Sequence, residues 1–305
     1  MPSRHRFVTL DVFTSSAFGG NQLAVFPDAS GIPEDALIRI TREFNFAEVT
    51  FCYPPANAAH TKRVRIFTPA REIPFAGHPT VGTAIALVDL GLAGAQGGGS
   101  MKLVLEEGVG PIPVTVRRKA GAPAFAQFST AKLAETGPAA PDPRALAAVL
   151  SITAGDILTA PTAPENVSCG LPFLLVPLRS VDAVSRSRVQ MDAWEATLKS
   201  AWAPDIFLFA KDPAGGDAHY HARMFGPGVN VPEDPATGSA NACLAGYLAA
   251  RAAQTGGTLR WTVDQGVEMG RPSRIEIEAD KSGGAVTAIR VGGSAVMITE
   301  GSLSL

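Results

Sequence analysis

The chain of 305 residues is long enough to form two domains of ordinary size, each with its own hydrophobic core. Hydrophobic residues make up 46% of the sequence, a share that excludes a disordered chain. The 26 basic and 28 acidic residues leave a net charge of −2, so the basic field that non-specific nucleic-acid binding requires is lacking. No apolar run reaches the length of a membrane span. Composition therefore predicts a globular protein with neither nucleic acid nor a membrane as partner.

The first half of the chain is predicted to form short strands around two helices. Segments rich in Val, Ile, Phe and Thr predict strands at residues 6–13, 23–26, 47–53, 63–68, 101–106 and 112–117. After Pro33, apolar residues recur at helical spacing and predict an amphipathic helix. Residues 80–89 predict a second helix that is apolar nearly all round. A Gly-rich loop at 93–100 follows this helix, and an Ala- and Pro-rich linker is expected at 120–143.

The second half is predicted to follow the same plan. Helices are expected at residues 144–150, 191–201 and 238–250. Strands are expected at residues 173–176, 205–210, 259–263, 274–279, 285–291 and 295–299. The helix at 238–250 is again apolar nearly all round. We therefore expect one half over residues 1–122, completed by the C-terminal strand at about 295–305, and the other half over residues 123–294.

An internal repeat supports this division. The segment RIFTP at Arg65 aligns with RMFGP at Arg223, and the same offset matches Pro74 with Pro232. With a two-residue slip, Gly82-Thr83-Ala84 then aligns with Gly238-Ser239-Ala240. In both copies a strand, a proline-bracketed turn and an apolar helix follow in the same order, which predicts a duplicated architecture.

The two apolar helices indicate the fold class. A helix that is apolar all round cannot lie on a surface, and short strands surround each of these two, so each is expected to be wrapped by a curled sheet. This is an α+β architecture of two pseudo-symmetric halves, each with a central helix, and the active site is expected between the halves. No G-x-G-x-x-G follows a predicted strand, so no nucleotide cofactor is expected.

Glu48 is the first candidate catalytic residue, because it lies in an otherwise apolar predicted strand. A lone glutamate in a strand ordinarily lies on an exposed face. Here the neighbouring residues offer little polar surface, so the carboxyl group is expected to be pushed towards its protonated form. Such a group suits a general acid/base that takes and returns a proton near neutral pH.

The starts of the two apolar helices supply further candidates. His78 stands at the start of the first helix, where free N–H groups and the helix dipole favour an anion, although a His that caps the helix without a ligand is an equal alternative. Asp234 and Ser239 stand at the start of the second helix and could be capping residues. Helix capping explains one of these residues well. It explains poorly a whole cluster of acidic and hydroxyl residues, which the repeat places at the position corresponding to His78.

Metal and thiol chemistry find less support. His219 and His221 would share one strand face, but no third ligand has a fitting spacing, so no metal is expected. The three cysteines, Cys52, Cys169 and Cys243, are far apart and none opens an apolar helix. Their odd number, and a chain start that leads directly into a strand without a signal peptide, predict a reducing compartment, the cytoplasm.

Five motifs, taken in order, resemble the PhzF-like (phenazine biosynthesis-like) family. They are DVF at Asp11 with Gly20-Asn21, AEVTF at 47–51, PFAGHPT at 74–80, EDPATGSA at 233–240 and QGVEMGRPS at 265–273. They extend over nearly the whole chain. The family shares the fold of diaminopimelate epimerase, two pseudo-symmetric halves that each wrap a central helix, in agreement with the architecture expected above.

The resemblance implies a cofactor-independent isomerase that shifts a proton on a small cyclic or unsaturated carboxylate or amino acid. In the phenazine pathway, the relative moves a proton within a dihydro-hydroxyanthranilate ring. The resemblance also implies that Glu48 is the general acid/base, and that His78 and Asp234 assist proton movement and hold polar groups of the substrate. The residues implied to bind substrate are Gly77, Gly238, Ser239 and Asn21. Because relatives are commonly dimers, a homodimer is expected.

Three positions depart from the family pattern: Gln22 stands where Pro is frequent, Ala47 where Ser is frequent, and Asn241 where His is common. These residues lie beside the implied site and leave the identity of the substrate open. Two alternatives remain. A binding protein without turnover would not need the acid/base Glu48, and an amino-acid epimerase of this fold would place a cysteine at the start of each central helix.

Overall fold

The computed structural model of the protein describes residues 3–93, 99–213 and 220–305. The chain divides into two compact units: unit 1 comprises Met1–Ser129 and Val291–Leu305, and unit 2 comprises Thr130–Arg290. The sequence-based division placed the two changes of unit after residues 122 and 294. Most of the predicted Gly-rich loop, residues 94–98, lies outside the described residues.

Unit 1 is built from short strands and two helices. In chain order they are β1 (Arg4–Val12), β2 (Asn21–Phe26), α1 (Glu34–Phe44), β3 (Glu48–Tyr53), β4 (Lys62–Phe67), β5 (Glu72–Ile73), α2 (Gly77–Asp89), β6 (Ser100–Glu107), β7 (Gly110–Arg117) and β8 (Phe125–Ser129). β1 pairs antiparallel with β2, β2 parallel with β3, β3 antiparallel with β4, β4 parallel with β6, and β6 antiparallel with β7.

Helix α2 lies at the centre of unit 1. Every residue from Gly77 to Val88 is buried, and the helix contacts β1, β2, β3, β6, β7 and β8. The sheet comes very close at Gly82, where a Cβ atom would lie 2.6 Å from Leu23 Cδ2 and 2.7 Å from Val12 Cγ2. A larger residue here would push the sheet away, so Gly82 permits the close packing of the sheet on α2.

Helix α1 covers the other face of the same sheet. Its apolar side buries Leu37 and Ile40 in a cluster with Phe26 and Phe51, whose rings stack 5.1 Å apart. The acidic residues of its first turn suit the helix dipole, and Asn45 ends it in the left-handed conformation. The predicted amphipathic helix is therefore confirmed.

Unit 2 contains more helices than unit 1. Its elements are β9 (Glu135–Thr136), α3 (Pro143–Leu150), β10 (Glu165–Ser168), β11 (Pro172–Pro177), α4 (Val181–Arg186), α5 (Met191–Thr197), β12 (Ile206–Lys211), β13 (Tyr220–Gly226), β14 (Val231–Asp234), α6 (Gly238–Arg251), β15 (Gly257–Gln265) and β16 (Ser273–Ser282). Helix α6 is its central helix, buried from Ala240 to Ala249 and in contact with β10, β11, β15 and β16. Among the helices of the described residues, none combines the length and apolar character of a membrane span.

The strand pairings of unit 2 repeat those of unit 1. β10 pairs antiparallel with β11, β11 parallel with β12, β12 antiparallel with β13, β13 parallel with β15, and β15 antiparallel with β16. Arg65 and Arg223 lie in the corresponding strands β4 and β13, which confirms this part of the predicted repeat. The predicted match of Gly82 with Gly238 is wrong. Gly238 is the first residue of α6, whereas Gly82 lies inside α2, which begins at Gly77.

Some elements differ from those predicted. The expected linker at 120–143 contains β8 and β9, and the helix expected at 191–201 ends at Thr197. The strands expected at 285–291 and 295–299 form one strand, β17 (Ala285–Ser304), whose last residues pair with β1. Gly292, inside this strand, marks a close approach to β8, because a Cβ atom there would lie 2.8 Å from Ala126 O.

Candidate active site

Glu48 is the first residue of β3, and its register partner in β2 is Leu23. The side chain is only 17% exposed. The next residue, Val49, is fully buried beneath α1. The glutamate therefore lies in largely apolar surroundings and not on an open strand face.

His78, the second residue of α2, lies next to Glu48. Its Nε2 atom is 3.4 Å from Glu48 Oε2, and its side chain is 6% exposed. Burial lowers the pKa of His78 to about 3, although a hydrogen bond with the backbone of Gln22 acts to raise it. The imidazole is therefore neutral at physiological pH.

The Nε2 atom of His78 makes no hydrogen bond within the described residues, although Glu48 Oε2 lies 3.4 Å away.

The start of α2 has backbone groups that suit an anion. Ala76 is the N-cap residue in an extended conformation, and it makes no capping side-chain hydrogen bond. Gly77 and His78 are the first two helical residues, where N–H groups have no partner inside the helix. The sequence analysis began this helix at residue 80 with His78 at its start, and the structure begins it earlier, at Gly77.

Asn21, the remaining candidate in unit 1, begins β2 and is 3% exposed. It follows Gly20, whose φ of +62° is in the left-handed region and whose Cβ would lie 2.2 Å from Val12 O. Only glycine fits this turn. Asn21 thus comes directly before Gln22, the residue whose backbone binds the His78 ring.

Asp234, Gly238 and Ser239 lie together in unit 2. Asp234 ends β14, and its Oδ2 atom accepts a hydrogen bond of 2.5 Å from the hydroxyl group of Thr237. Thr237 is the N-cap residue of α6, and Gly238 and Ser239 are the first two residues of this helix. The side chain of Thr237 makes no capping hydrogen bond to this helix. Ser239 thus has the position in α6 that His78 has in α2.

The sequence analysis did not single out Thr237 as a site residue. It treated this threonine as part of a motif, and nothing in the local pattern distinguishes its hydroxyl from that of a helix cap. The structure shows instead that the hydroxyl bonds Asp234, three residues earlier. Only the fold of the turn between them reveals this pair.

The other candidates are occupied by structural contacts. His221 Nε2 lies 2.8 Å from Glu268 Oε1, which also accepts a bond of 2.6 Å from Ser185, and His219 lies outside the described residues. Burial acts to raise the pKa of Glu268, but the hydrogen bonds from His221 and Ser185 lower it to about 2. In unit 1, burial raises the pKa of the Cys52 thiol to about 12, so this thiol is protonated at neutral pH. Groups of three or more possible metal ligands do not occur among the described residues.

Comparison with known proteins places these residues in a family context. The family model for phenazine biosynthesis-like proteins (PhzC-PhzF) matches residues 10–301. An uncharacterized isomerase of Mesorhizobium japonicum is 42% identical over 300 residues, which cover 97% of this chain and 98% of that protein. The trans-2,3-dihydro-3-hydroxyanthranilate isomerase of Pseudomonas aeruginosa is 36% identical over 308 residues, with coverage of 97% and 98%.

Solved structures show the same fold. A phenazine biosynthesis protein of the PhzF family from Bacillus anthracis matches with a TM-score of 0.86 at 23% identity, covering 99% of each chain. A hydroxyproline epimerase from Agrobacterium vitis matches with a TM-score of 0.62 at 13% identity, covering 100% of this chain and 94% of that one. These two matches confirm the predicted fold class, and the sequence matches confirm the predicted resemblance.

Proposed function

Because the chain belongs to the phenazine biosynthesis-like (PhzC-PhzF) family and is an isomerase, we propose that it moves a proton between two carbons of a small cyclic or unsaturated carboxylate or amino acid. Glu48 is the proposed general acid/base, and the reaction uses no cofactor. The contact between Glu48 and the neutral His78 is the observation on which this proposal depends.

The reaction needs one group that acts first as a base and then as an acid. The Glu48 carboxylate takes a proton from one carbon, the electron pair shifts through the unsaturated system, and the carboxyl group returns the proton to a second carbon. Substrate and product then have the same formula. The imidazole of His78, 3.4 Å away, is neutral, so no positive charge at this nitrogen opposes the protonated glutamic acid that forms midway.

The helix starts supply the proposed substrate contacts. Backbone N–H groups at Gly77 and at Gly238-Ser239 suit the carboxylate of the substrate, because neither N-cap residue, Ala76 or Thr237, makes a capping side-chain hydrogen bond. Asn21 and Asp234 are proposed to hold polar substituents, and His78 and Asp234 to assist proton movement. A carboxylate-bearing substrate is thus favoured by the chemistry of the chain as well as by the name of the Pseudomonas relative.

Turnover in heavy water tests the proposal. The first substrate is trans-2,3-dihydro-3-hydroxyanthranilate, on which the 36% identical relative acts by its name, followed by other cyclic and unsaturated amino acids. We expect deuterium to be incorporated at a carbon that is conjugated with the carbon from which the proton is removed. Label only at the α-carbon would indicate an epimerase, and absence of label with retained binding would indicate a binding protein.

Glu48→Gln is the decisive variant, because the amide keeps the size of the side chain but cannot ionise. We expect normal folding and a loss of turnover of roughly a hundredfold or more, the contribution of a general acid/base. Glu43→Gln, at an exposed position of α1, is the matched control and should behave as the unmodified protein does. Label exchange by Glu48→Gln at nearly the full rate would remove Glu48 from the mechanism.

We also propose that the protein is a cytoplasmic homodimer. The buried thiols of Cys52 and Cys243 are consistent with a reducing compartment, and the family resemblance supports the dimer. Light scattering coupled to size exclusion tests the dimer, and fractionation of cells that express the chain tests the compartment.

A further inference from the structure

Gln265 is the last residue of β15 and opens the QGVEMGRPS motif, for which the proposed reaction has no role. Its side chain is fully buried in unit 2. A buried primary amide is costly unless its hydrogen-bonding groups find partners. The partners of this amide lie on the turn that carries Asp234.

The side chain of Gln265 is held in one orientation by backbone groups. Its Nε2 atom donates to the carbonyl oxygen of Asp234 at 2.8 Å, and its Oε1 atom accepts from the N–H of Thr237 at 3.3 Å. A carbonyl can only accept and a backbone N–H can only donate, so the reversed amide would break both bonds. Asn241 Nδ2 adds a third bond, to Gln265 Oε1 at 3.0 Å.

This orientation also fixes the direction of the Thr237 hydroxyl group. The second hydrogen of Gln265 Nε2 points to Thr237 Oγ1 at 3.0 Å. Since an amide nitrogen of this kind can only donate, the hydroxyl oxygen accepts this bond and its own hydrogen is left for Asp234 Oδ2 at 2.5 Å. A chain of hydrogen bonds therefore runs from Gln265 through Thr237 to the carboxylate of Asp234.

The rest of the motif supports the same turn. Gly266 has a φ of +74°, and a Cβ atom there would lie 2.6 Å from Pro235 O. The hydroxyl group of Ser273 donates to the same Pro235 oxygen at 2.8 Å. The motif thus forms the support beneath the turn from Asp234 to Thr237.

We infer that Gln265 is a positioning residue for the Asp234 carboxylate: through Thr237 it fixes one carboxylate oxygen and thereby the direction in which the group faces a ligand. The inference rests on the proposed function, in which Asp234 holds polar groups of the substrate. Asn241, which departs from the family pattern, has a part in this arrangement, because it binds both Gln265 Oε1 and the carbonyl oxygen of Thr237.

The first test needs no substrate. Crystal structures of Thr237→Val and Gln265→Met should show the Asp234 side chain in a different rotamer, whereas Thr237→Ser, which keeps the hydroxyl group, should retain the rotamer. An unchanged Asp234 rotamer in both Thr237→Val and Gln265→Met would overturn the inference. Thr237→Val leaves the backbone bonds of Gln265 intact, so it remains informative if Gln265→Met fails to fold.

The second test is a double-mutant cycle on turnover of trans-2,3-dihydro-3-hydroxyanthranilate. Thr237→Val and Gln265→Met should each reduce kcat by about tenfold to a hundredfold, the scale of a misplaced catalytic-site group. The double variant should lose no more than the worse single variant, because both changes break one chain. Losses that multiply, or a fall in Tm with kcat unchanged, would show a merely structural role.

Asp234→Asn separates this inference from the proposed function. If Asp234→Asn turns over as the unmodified protein does, the proposed role of Asp234 fails, and the positioning role fails with it. If Asp234→Asn is impaired while Thr237→Val and Gln265→Met are not, only the positioning role fails.

Discussion

Replacing Glu107 by glutamine should make the protein more stable, and increasingly so as the pH rises. Glu107 ends β6 and is 7% exposed. Its Oε1 atom lies 2.8 Å from Thr80 Oγ1, which is also 2.8 Å from the carbonyl oxygen of Ala76. One hydroxyl hydrogen cannot serve both acceptors. A protonated Glu107 resolves this conflict by donating to Thr80, which then donates to Ala76.

The magnitude follows from the pKa of the buried carboxyl group. Burial raises the pKa of Glu107 from 4.5 to about 8, and the bond with Thr80 offsets only part of this rise. Between these values the native state holds a proton that the unfolded chain releases, so the free energy of unfolding falls as the pH rises. The slope is about 1.4 kcal/mol per pH unit, which gives a loss of roughly 3 kcal/mol by pH 7.

Glu107→Gln keeps a donor for Thr80 and does not titrate. Urea unfolding at several values between pH 5 and pH 8 should therefore show a stability gain over the unmodified protein that grows with pH. Glu106→Gln is a matched control of opposite sign. Hydrogen bonds from the N–H groups of Ala56 and Asn57 lower the pKa of Glu106, so its loss should destabilise the protein at neutral pH and less in acid. Parallel stability curves for Glu107→Gln and the unmodified protein would refute the reasoning.

Four further outcomes are expected. Asp234→Asn should impair turnover with a larger share of the loss in KM than Glu48→Gln shows, as steady-state kinetics would measure. Arg223→Met should lower the free energy of unfolding in urea by about 3–5 kcal/mol, because the change removes a 4% exposed guanidinium and leaves Glu233, which is only 17% exposed, without its bidentate partner. Arg65→Met, at the corresponding position of unit 1, should cost about 1 kcal/mol or less, since its partners are 74% and 43% exposed. A thiol reagent should modify Cys169 before Cys52 and Cys243, which are buried, and peptide mapping would identify the modified residue.

The sequence predicted the fold best where apolar residues occupied all sides of an element. The central helices α2 and α6 are apolar on all sides, and in a chain of this composition such helices must be enclosed by the rest of the fold. β8 was missed because residues 120–143 are rich in Ala and Pro, which predicts a linker. Its buried residues Ala126 and Phe128 alternate with partly buried ones over only five residues, too short a pattern to stand out.

The sequence named the candidate site residues, but it could not give their electrostatics. Short motifs identified Glu48 and His78, yet nothing in the sequence says that the imidazole is neutral, because that depends on burial and on the backbone of Gln22. Glu107 was overlooked for the same reason. It follows Glu106 in a hairpin strand, so the two glutamates look alike in the sequence. In the structure Glu107 is buried against Thr80 of α2, 27 residues away, whereas Glu106 accepts hydrogen bonds from backbone N–H groups.

The repeat itself bears on the choice between isomerase and epimerase. In both units the same order of strands leads to a central helix, and the second residues of these helices are equivalent positions. An epimerase that uses two bases would need an acid/base group at each of these positions. His78 occupies one and Ser239 the other, and neither helix start carries a thiol. A serine hydroxyl is far too weak an acid and base for carbon chemistry without an activating partner. The two units therefore share a backbone arrangement but carry different chemical groups. Unit 1 has the pair of Glu48 and His78, and unit 2 has Asp234, which is hydrogen-bonded through Thr237 to Gln265. This inequality fits the proposed mechanism, in which a single acid/base, Glu48, both removes and returns the proton.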